Sequence, residues 1–165
     1  MPADRSDQAI AARMADAFRR IGRERMAGIA VSNPALEVEV VGARRWQGRW
    51  LGILITPWCM NLVLLPDEET PAGQERVFHR FPSGDYAFLP GCEPEIGGYL
   101  SCALLSPLFQ FAAQDGARAT AEAALAALMS PPLATAAQDK PERHESVLRA
   151  PLSRRGFLAG GLFRS

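Results

Sequence analysis

Two arginines late in the chain set the first chemical question, because a pair of guanidinium groups needs carboxylates to meet it. Ser153-Arg154-Arg155-Gly156-Phe157-Leu158 has the form S/T-R-R-x-F-L, the signature of twin-arginine export signals. Such a signature ordinarily stands at an N-terminus, ahead of an apolar stretch and a cleavage site. Here seven residues follow it, with two Gly and one Arg among them. Ser153, Arg154, Arg155, Phe157 and Leu158 therefore read as a mimic of a leader rather than a working one. A chance match in a chain of this length has odds on the order of one in a thousand, raised several-fold by the abundance of Arg. Guanidinium groups pair best with carboxylates in bidentate fashion, and the following Phe-Leu asks for an apolar pocket. Two groupings of residues offer both. Glu37 and Glu39 would share a sheet face with Trp50 and Leu54, with Trp58 in a neighbouring turn. Asp85, Glu93 and Glu95 lie near Tyr86 and Tyr99. Tryptophan gives large amphipathic contact area and is favoured at binding surfaces. Taken singly, each acid is more often a solvated surface residue.

No catalytic constellation stands out. His79 sits between Phe78 and Arg80 in a strand-like run, where a lone histidine is usually structural. Cys59, Cys92 and Cys102 are odd in number and contain no C-x-x-C pair, which argues against a disulfide framework and a zinc or rubredoxin-type centre. No Gly-rich phosphate loop lies between a strand and a helix. The expectation is no catalytic residue, no metal and no cofactor. Lys plus Arg and Asp plus Glu both number 18, and this neutral balance argues against a nucleic-acid binder that works by phosphate neutralisation. The late part of the chain is locally basic: Lys140, Arg143, Arg149, Arg154, Arg155 and Arg164 outnumber Glu142 and Glu145. No apolar run reaches the length of a membrane helix, Pro57 and Asn61 interrupting the best one, so stable membrane insertion is not expected. The opening residues MPADRSDQ lack an apolar leader core, which makes the cytoplasm the expected compartment.

Periodicity supplies the elements that would carry these groups. Residues 6–29 read as one amphipathic helix, capped at Ser6 or Asp7, with Ile10, Met14, Phe18 and Ile21 on its apolar stripe. Ser32-Asn33-Pro34 breaks it. Gln47-Gly48 suits a two-residue hairpin turn. Pairing Trp46 with Arg49 and counting back puts Leu36, Val38 and Val40 on one face with Leu51, Ile53 and Ile55, and a turn near Trp58-Cys59 adds Leu62 and Leu64. Residues 75–81 and 85–89 form a second hairpin around Pro82-Ser83-Gly84, and 99–104 a further strand. Ser106-Pro107 has the form of an N-cap followed by Pro at the first helical position, which predicts a helix start there. Asp115-Gly116 would kink or restart it, and 117–129 form an Ala-rich helix with Ala124, Leu125 and Leu128 facing in, ended by Pro131-Pro132. The expected architecture is α+β: a single domain over 1–130, with an antiparallel sheet of about five to six strands, a meander plus a hairpin. The face of Leu36, Ile53 and Leu64 would pack against the N-terminal and Ala-rich helices. Residues 131–152 read as a flexible linker and 153–165 as the tail that carries the signal-like motif.

The run Leu51-Gly-Ile-Leu-Ile-Thr-Pro-Trp-Cys-Met-Asn-Leu-Val-Leu-Leu-Pro66 resembles the HybE/HupJ family of [NiFe]-hydrogenase assembly chaperones. Supporting segments are Asn33-Pro-Ala-Leu36, Phe81-Pro-Ser-Gly84 with Tyr86 and Phe88, and Ser101-Cys-Ala-Leu-Leu-Ser-Pro-Leu-Phe109. The resemblance covers about residues 10–129. It implies a cytoplasmic accessory protein, not an enzyme, that attends hydrogenase precursors and holds back export until cofactors are inserted and the subunits have joined. Implied partners are the twin-arginine signal peptide of the small subunit and, in some members, the large subunit. The chain's own tail is a further candidate occupant of the same surface. Some relatives carry a fused rubredoxin domain, for which this chain has no C-x-x-C pair. Two rival readings are a redox or iron-handling factor relying on Cys92, Cys102 and His79, and an adaptor whose Arg154-Arg155 recruits the twin-arginine translocase.

Overall fold

The computed structural model describes residues 5–66 and 75–132, so the signal-like tail and nearly all of the expected linker lie outside the described residues. Helix α1 (Arg5–Glu24) leads into strands β1 (Glu39–Trp46), β2 (Arg49–Ile55), β3 (Met60–Leu65), β4 (Val77–Phe81), β5 (Gly84–Glu93) and β6 (Gly97–Leu105), followed by helix α2 (Gln114–Leu128). All neighbouring strands are antiparallel, in the order β1-β2-β3-β6-β5-β4. The sheet curls until its two edges approach: Trp46 of β1 stacks on Phe81 of β4 with ring centroids 5.6 Å apart.

The first hairpin turns where the sequence places it. Trp46 pairs with Arg49, and Gln47 and Gly48 both take positive φ (47° and 80°), the geometry that matches the twist of the flanking strands. Leu51 and Ile53 pair with Leu64 and Leu62 as expected. Counting back along β1 fails beyond Arg44, because Val41 pairs with Ile53 while Arg44 pairs with Leu51. The two residues between them, Gly42 and Ala43, form a bulge, and Gly42 has φ +68°. The bulge shifts the register, so Val41 joins Leu36, Leu51 and Ile53 in the core under α2. Val38 and Val40 belong to the opposite face with Trp50, Leu54 and Val63.

Both faces of the sheet are therefore buried, each under its own helix. Met14, Ala17, Phe18 and Ile21 of α1 cover the Trp50/Leu54 face, and Ala117, Ala121, Leu125 and Leu128 of α2 cover the Ile53/Leu62 face. The expectation that one face takes both helices is corrected accordingly. Two helix boundaries also differ. α1 stops at Glu24, with the N–H groups of Arg25 and Met26 both donating to Ile21 O and Gly28 turning the chain at φ +75°. No helix starts at Ser106-Pro107, whose peptide bond is cis, and α2 begins only at Gln114. The carbonyls of Leu108 and Phe111 accept from the side chain of Asn33 instead of entering a helical ladder. A tertiary anchor overrides the local cap signal there.

Candidate functional site

The turn between β2 and β3 marks one end of the sheet. Thr56 builds it: its N–H donates to Cys59 O at 2.8 Å, and its hydroxyl accepts from the N–H groups of Cys59 and Trp58. Asn33, 6% exposed, ties three separate segments to this end. Its N–H donates to Pro57 O at 2.7 Å, and its side-chain amide donates to Leu108 O and Phe111 O, both at 2.8 Å. Ser106 donates its hydroxyl to Trp58 O. The segments 33–36, 56–61 and 106–109, far apart in sequence, thus converge here. Phe109, 57% exposed, belongs to one of these segments, and Ile29 and Val31, each 41% exposed, lie just before another. Trp58 is half-buried, its ring close against Gly22 of α1.

Acids flank this surface at the start of α2. Gln114 accepts from the N–H of Glu37 at 2.9 Å and donates to the Glu39 carboxylate at 2.7 Å. Arg118 pairs with Glu39 at 2.7 Å and with Asp115 at 2.8 Å. The Glu37 carboxylate makes no hydrogen bond or ion pair among the described residues and is exposed. Glu39 and Asp115 thus share one guanidinium. Burial pushes the Glu39 carboxyl up, but donation from Arg118 and Gln114 outweighs it and leaves the group below its ordinary range. Phe111 lies against Gly116 of the same helix start. On its other side Glu37 borders an open cleft of about 400 Å³ lined by Arg19, Gly22, Arg23 and Val38. Glu37 is the ridge between a basic surface on α1 and an acidic one on α2.

The residues singled out from sequence meet different fates. Trp50 and Leu54 are each 1% exposed and lie beneath α1, with the Trp50 indole donating to Asp7 O. Glu39 faces α2 on the opposite side of the sheet from them, so the expected grouping of Glu39 with Trp50 and Leu54 does not form. The bulge in β1, invisible to simple alternation, is the cause. Glu93, 5% exposed, receives Arg20 at 3.0 Å and Arg25 at 2.8 Å. Glu95 also pairs with Arg20, whose hydrogen bond holds its carboxyl below the ordinary range. Asp85 pairs with Arg80 in the same hairpin, which lowers its pKa likewise. The chain's own arginines already satisfy this second acidic grouping. Glu37, Glu39 and Trp58 remain at the sheet end described above. Sequence reasoning missed Ile29, Val31, Phe109 and Asp115 there, although the segments that carry the family resemblance include Phe109 and adjoin Val31.

His79 Nδ1 accepts from the Arg49 guanidinium at 3.1 Å, and burial followed by the Arg49 charge pushes its pKa down. Burial raises the Cys59 and Cys102 thiols. Among the described residues no three His, Cys, Asp or Glu side chains stand close enough to hold a metal ion. No helix among the described residues is long and apolar enough to cross a membrane.

By fold the class is a small α+β protein with a curled antiparallel sheet, a helix on each face, and an end surface where apolar and acidic side chains adjoin. The sequence profile of the family described as [NiFe]-hydrogenase assembly, chaperone, HybE matches residues 9–160, and the chain belongs to that family. An assembly chaperone is not a catalytic role. Among similar proteins, hydrogenase expression/formation protein HupJ of Bradyrhizobium diazoefficiens is 43% identical over 152 residues, spanning 90% of this chain and 86% of the relative. Hydrogenase expression/formation protein HoxT of Azotobacter vinelandii is 41% identical over 145 residues, spanning 86% and 93%. The solution structure of HybE from Escherichia coli superposes with a TM-score of 0.60 at 27% identity, covering 80% of this chain and 83% of that one.

Proposed function

We infer that this chaperone holds [NiFe]-hydrogenase precursors in the cytoplasm, gripping the twin-arginine signal peptide of the small subunit, with or without the large subunit, and so delays export until assembly is complete. The observation that supports this reading is the surface at the start of α2. Glu39 and Asp115 share the Arg118 guanidinium, the Glu37 carboxylate makes no pair among the described residues, and the exposed Phe109 belongs to a segment meeting at the same end, with Ile29 and Val31 just before another. Carboxylates for two arginines and apolar surface for the following Phe-Leu are what such a peptide requires. Titration of a synthetic small-subunit signal peptide tests it. Glu37→Gln removes a charge-assisted contact, and with about 1.5–3 kcal/mol for such a bond the affinity drops roughly tenfold or more. Phe109→Ala weakens binding comparably, since Phe109 is exposed and little of the fold depends on it. Unchanged affinity in both variants removes this surface from the reading. Failure of tagged protein to co-purify either hydrogenase precursor from a hydrogenase-producing cell removes the function itself.

A further inference from the structure

We propose that the cleft between α1 and residues 37–38 is an acid-selecting subsite for the client peptide: it takes a carboxylate carried beside the arginine pair, with Arg23 and Arg19 as its partners. This rests on the function inferred above and adds a specificity determinant next to the same surface. The cleft holds about 400 Å³, and Arg19, Gly22, Arg23, Glu37 and Val38 line it. Arg19 and Arg23 stand one helical turn apart, so both side chains leave α1 on one face. Gly22 between them has no side chain to fill the space, and the ring of Trp58 lies close against it. Val38, 8% exposed, adds an apolar part to the lining.

The arginines along α1 are unequally engaged. Arg13 donates to Glu95 O, Arg20 pairs with Glu24, Glu93 and Glu95, and Arg25, just past the helix, pairs with Glu93. Arg19 pairs with Asp16 at 2.8 Å, but both side chains are more than half exposed, and such a pair is weak and exchanges readily. Its contact with Val38 O is long, at 3.4 Å. The Arg23 guanidinium is exposed and makes no hydrogen bond or ion pair among the described residues. The unpaired carboxylate of Glu37 lines the same cleft. Two opposite charges thus border one space without meeting.

This arrangement suits a dipolar occupant. Arg19 and Arg23 attract a simple anion, and Glu37 repels it. A peptide arginine that meets Glu37 cancels the repulsion, and a carboxylate next to it in the chain then finds two guanidiniums. In a peptide of the form S/T-R-R-x-F-L, the variable position adjoining the arginines is x. Consecutive residues lie about 3.8 Å apart, so the side chain at x is beside the cleft when an arginine sits on Glu37. Arg23 also stands in the last turn of α1, where a cation complements the helix dipole; that role acts on stability and not on the choice of peptide.

The full-length chain and its Arg23→Gln variant are each titrated with two synthetic peptides of the form S-R-R-x-F-L, x being glutamate in one and glutamine in the other, and urea midpoints of both proteins are measured. The parent chain should bind the glutamate peptide roughly threefold to fivefold more tightly, the scale of an exposed ion pair of good geometry. Arg23→Gln should lose or reverse that preference and bind the glutamine peptide as the parent does. No preference in the parent, or the same preference in Arg23→Gln, overturns the subsite while leaving client binding intact. A lowered urea midpoint with the preference unchanged overturns it too, and marks a helix-dipole role. Absence of binding of either peptide to the parent chain overturns the underlying functional reading instead, so the two failures are told apart.

Discussion

Asn33 shows how much one side chain can decide. It is nearly inaccessible, and its amide feeds two carbonyls, Leu108 O and Phe111 O, that no helix satisfies. Its own Oδ1 accepts from the N–H of Ala35 at 3.0 Å. Truncation to Ala removes the donor to Phe111 O and the acceptor of the Ala35 N–H, and leaves Leu108 O only the 3.3 Å bond from the N–H of Phe111; each group left unpaired costs about 1–3 kcal/mol. Asn33→Ala should therefore destabilise the domain by about 2–4 kcal/mol in urea unfolding. Asn33→Asp should be at least as damaging, because a carboxylate has no donor for either carbonyl. Equal stability of Asn33→Asp and the parent chain would refute the donor role. The sequence shows Asn33-Pro34 as a helix breaker, and that much is local. Its partners lie 75 and 78 residues away, a pairing that no spacing rule encodes. Trp50 fails in the opposite direction: tryptophan chemistry suggests a binding surface, yet α1 covers it, and only the helix's placement decides between the two.

At the level of elements, the β1 bulge and the pinning of α1 matter most. Gly42 is both left-handed at φ +68° and crowded, since a Cβ there would run into Cδ2 of Leu125 on α2. Gly28 has a similar φ of +75° with open space around it. Gly42→Ala should cost about 2–4 kcal/mol, combining backbone strain with overpacking, whereas Gly28→Ala should cost only the strain, about 1 kcal/mol. Similar losses for the two would show that α2 does not lean on the bulge. α1 is held at its other end by Arg20 and Arg25 on Glu93 and by Arg13 donating to Glu95 O. The Glu95 carboxyl sits below 4.5 in the fold, so the contribution of its pair with Arg20 of α1 is present above that value and is lost as pH falls through the lowered range. Acid titration should therefore release α1 early. Hydrogen exchange followed as pH is lowered below 4.5 should show α1 amides losing protection before those of β2 and β3, and simultaneous loss would contradict a locally pinned helix. The meander's turns and most of its pairings were legible, because Gln47-Gly48 and the alternation in β2 and β3 specify them. The bulge was not, since Val-Val-Gly-Ala reads as a continuous strand until a helix needs the room.

Across the whole molecule, the curled sheet brings together residues far apart in sequence, with Trp46 of β1 against Phe81 of β4 at its edges. The α+β class, the strand number and the two flanking helices follow from patterns within segments. The end surface does not, because it joins residues near 30, 58, 109 and 115 that only the assembled sheet brings together. The seam between the sheet edges offers a test of closure. Trp46 stacks on Phe81 at 5.6 Å, Arg49 reaches His79 at 3.1 Å, and His79 meets Phe88 edge-on at 5.5 Å. Among the described residues, the Nε2 of His79 is buried without a partner. Burial and then the Arg49 charge lower its pKa from 6.5, so the folded form refuses a proton that the unfolded chain accepts. The sign follows: seam stability is whole above about pH 6.5, falls as pH drops below it, and keeps falling until the folded histidine itself protonates. Urea midpoints measured between pH 7.5 and 5.5 should decline for the parent chain. His79→Gln, which cannot titrate, should flatten that decline while keeping a polar group beside Arg49. The other histidine, His144, lies outside the described residues, and His144→Gln serves as the control that should leave the slope unchanged. A parent chain with no slope, or a slope that survives in His79→Gln, would mean that the closing edge of the sheet does not sense protons.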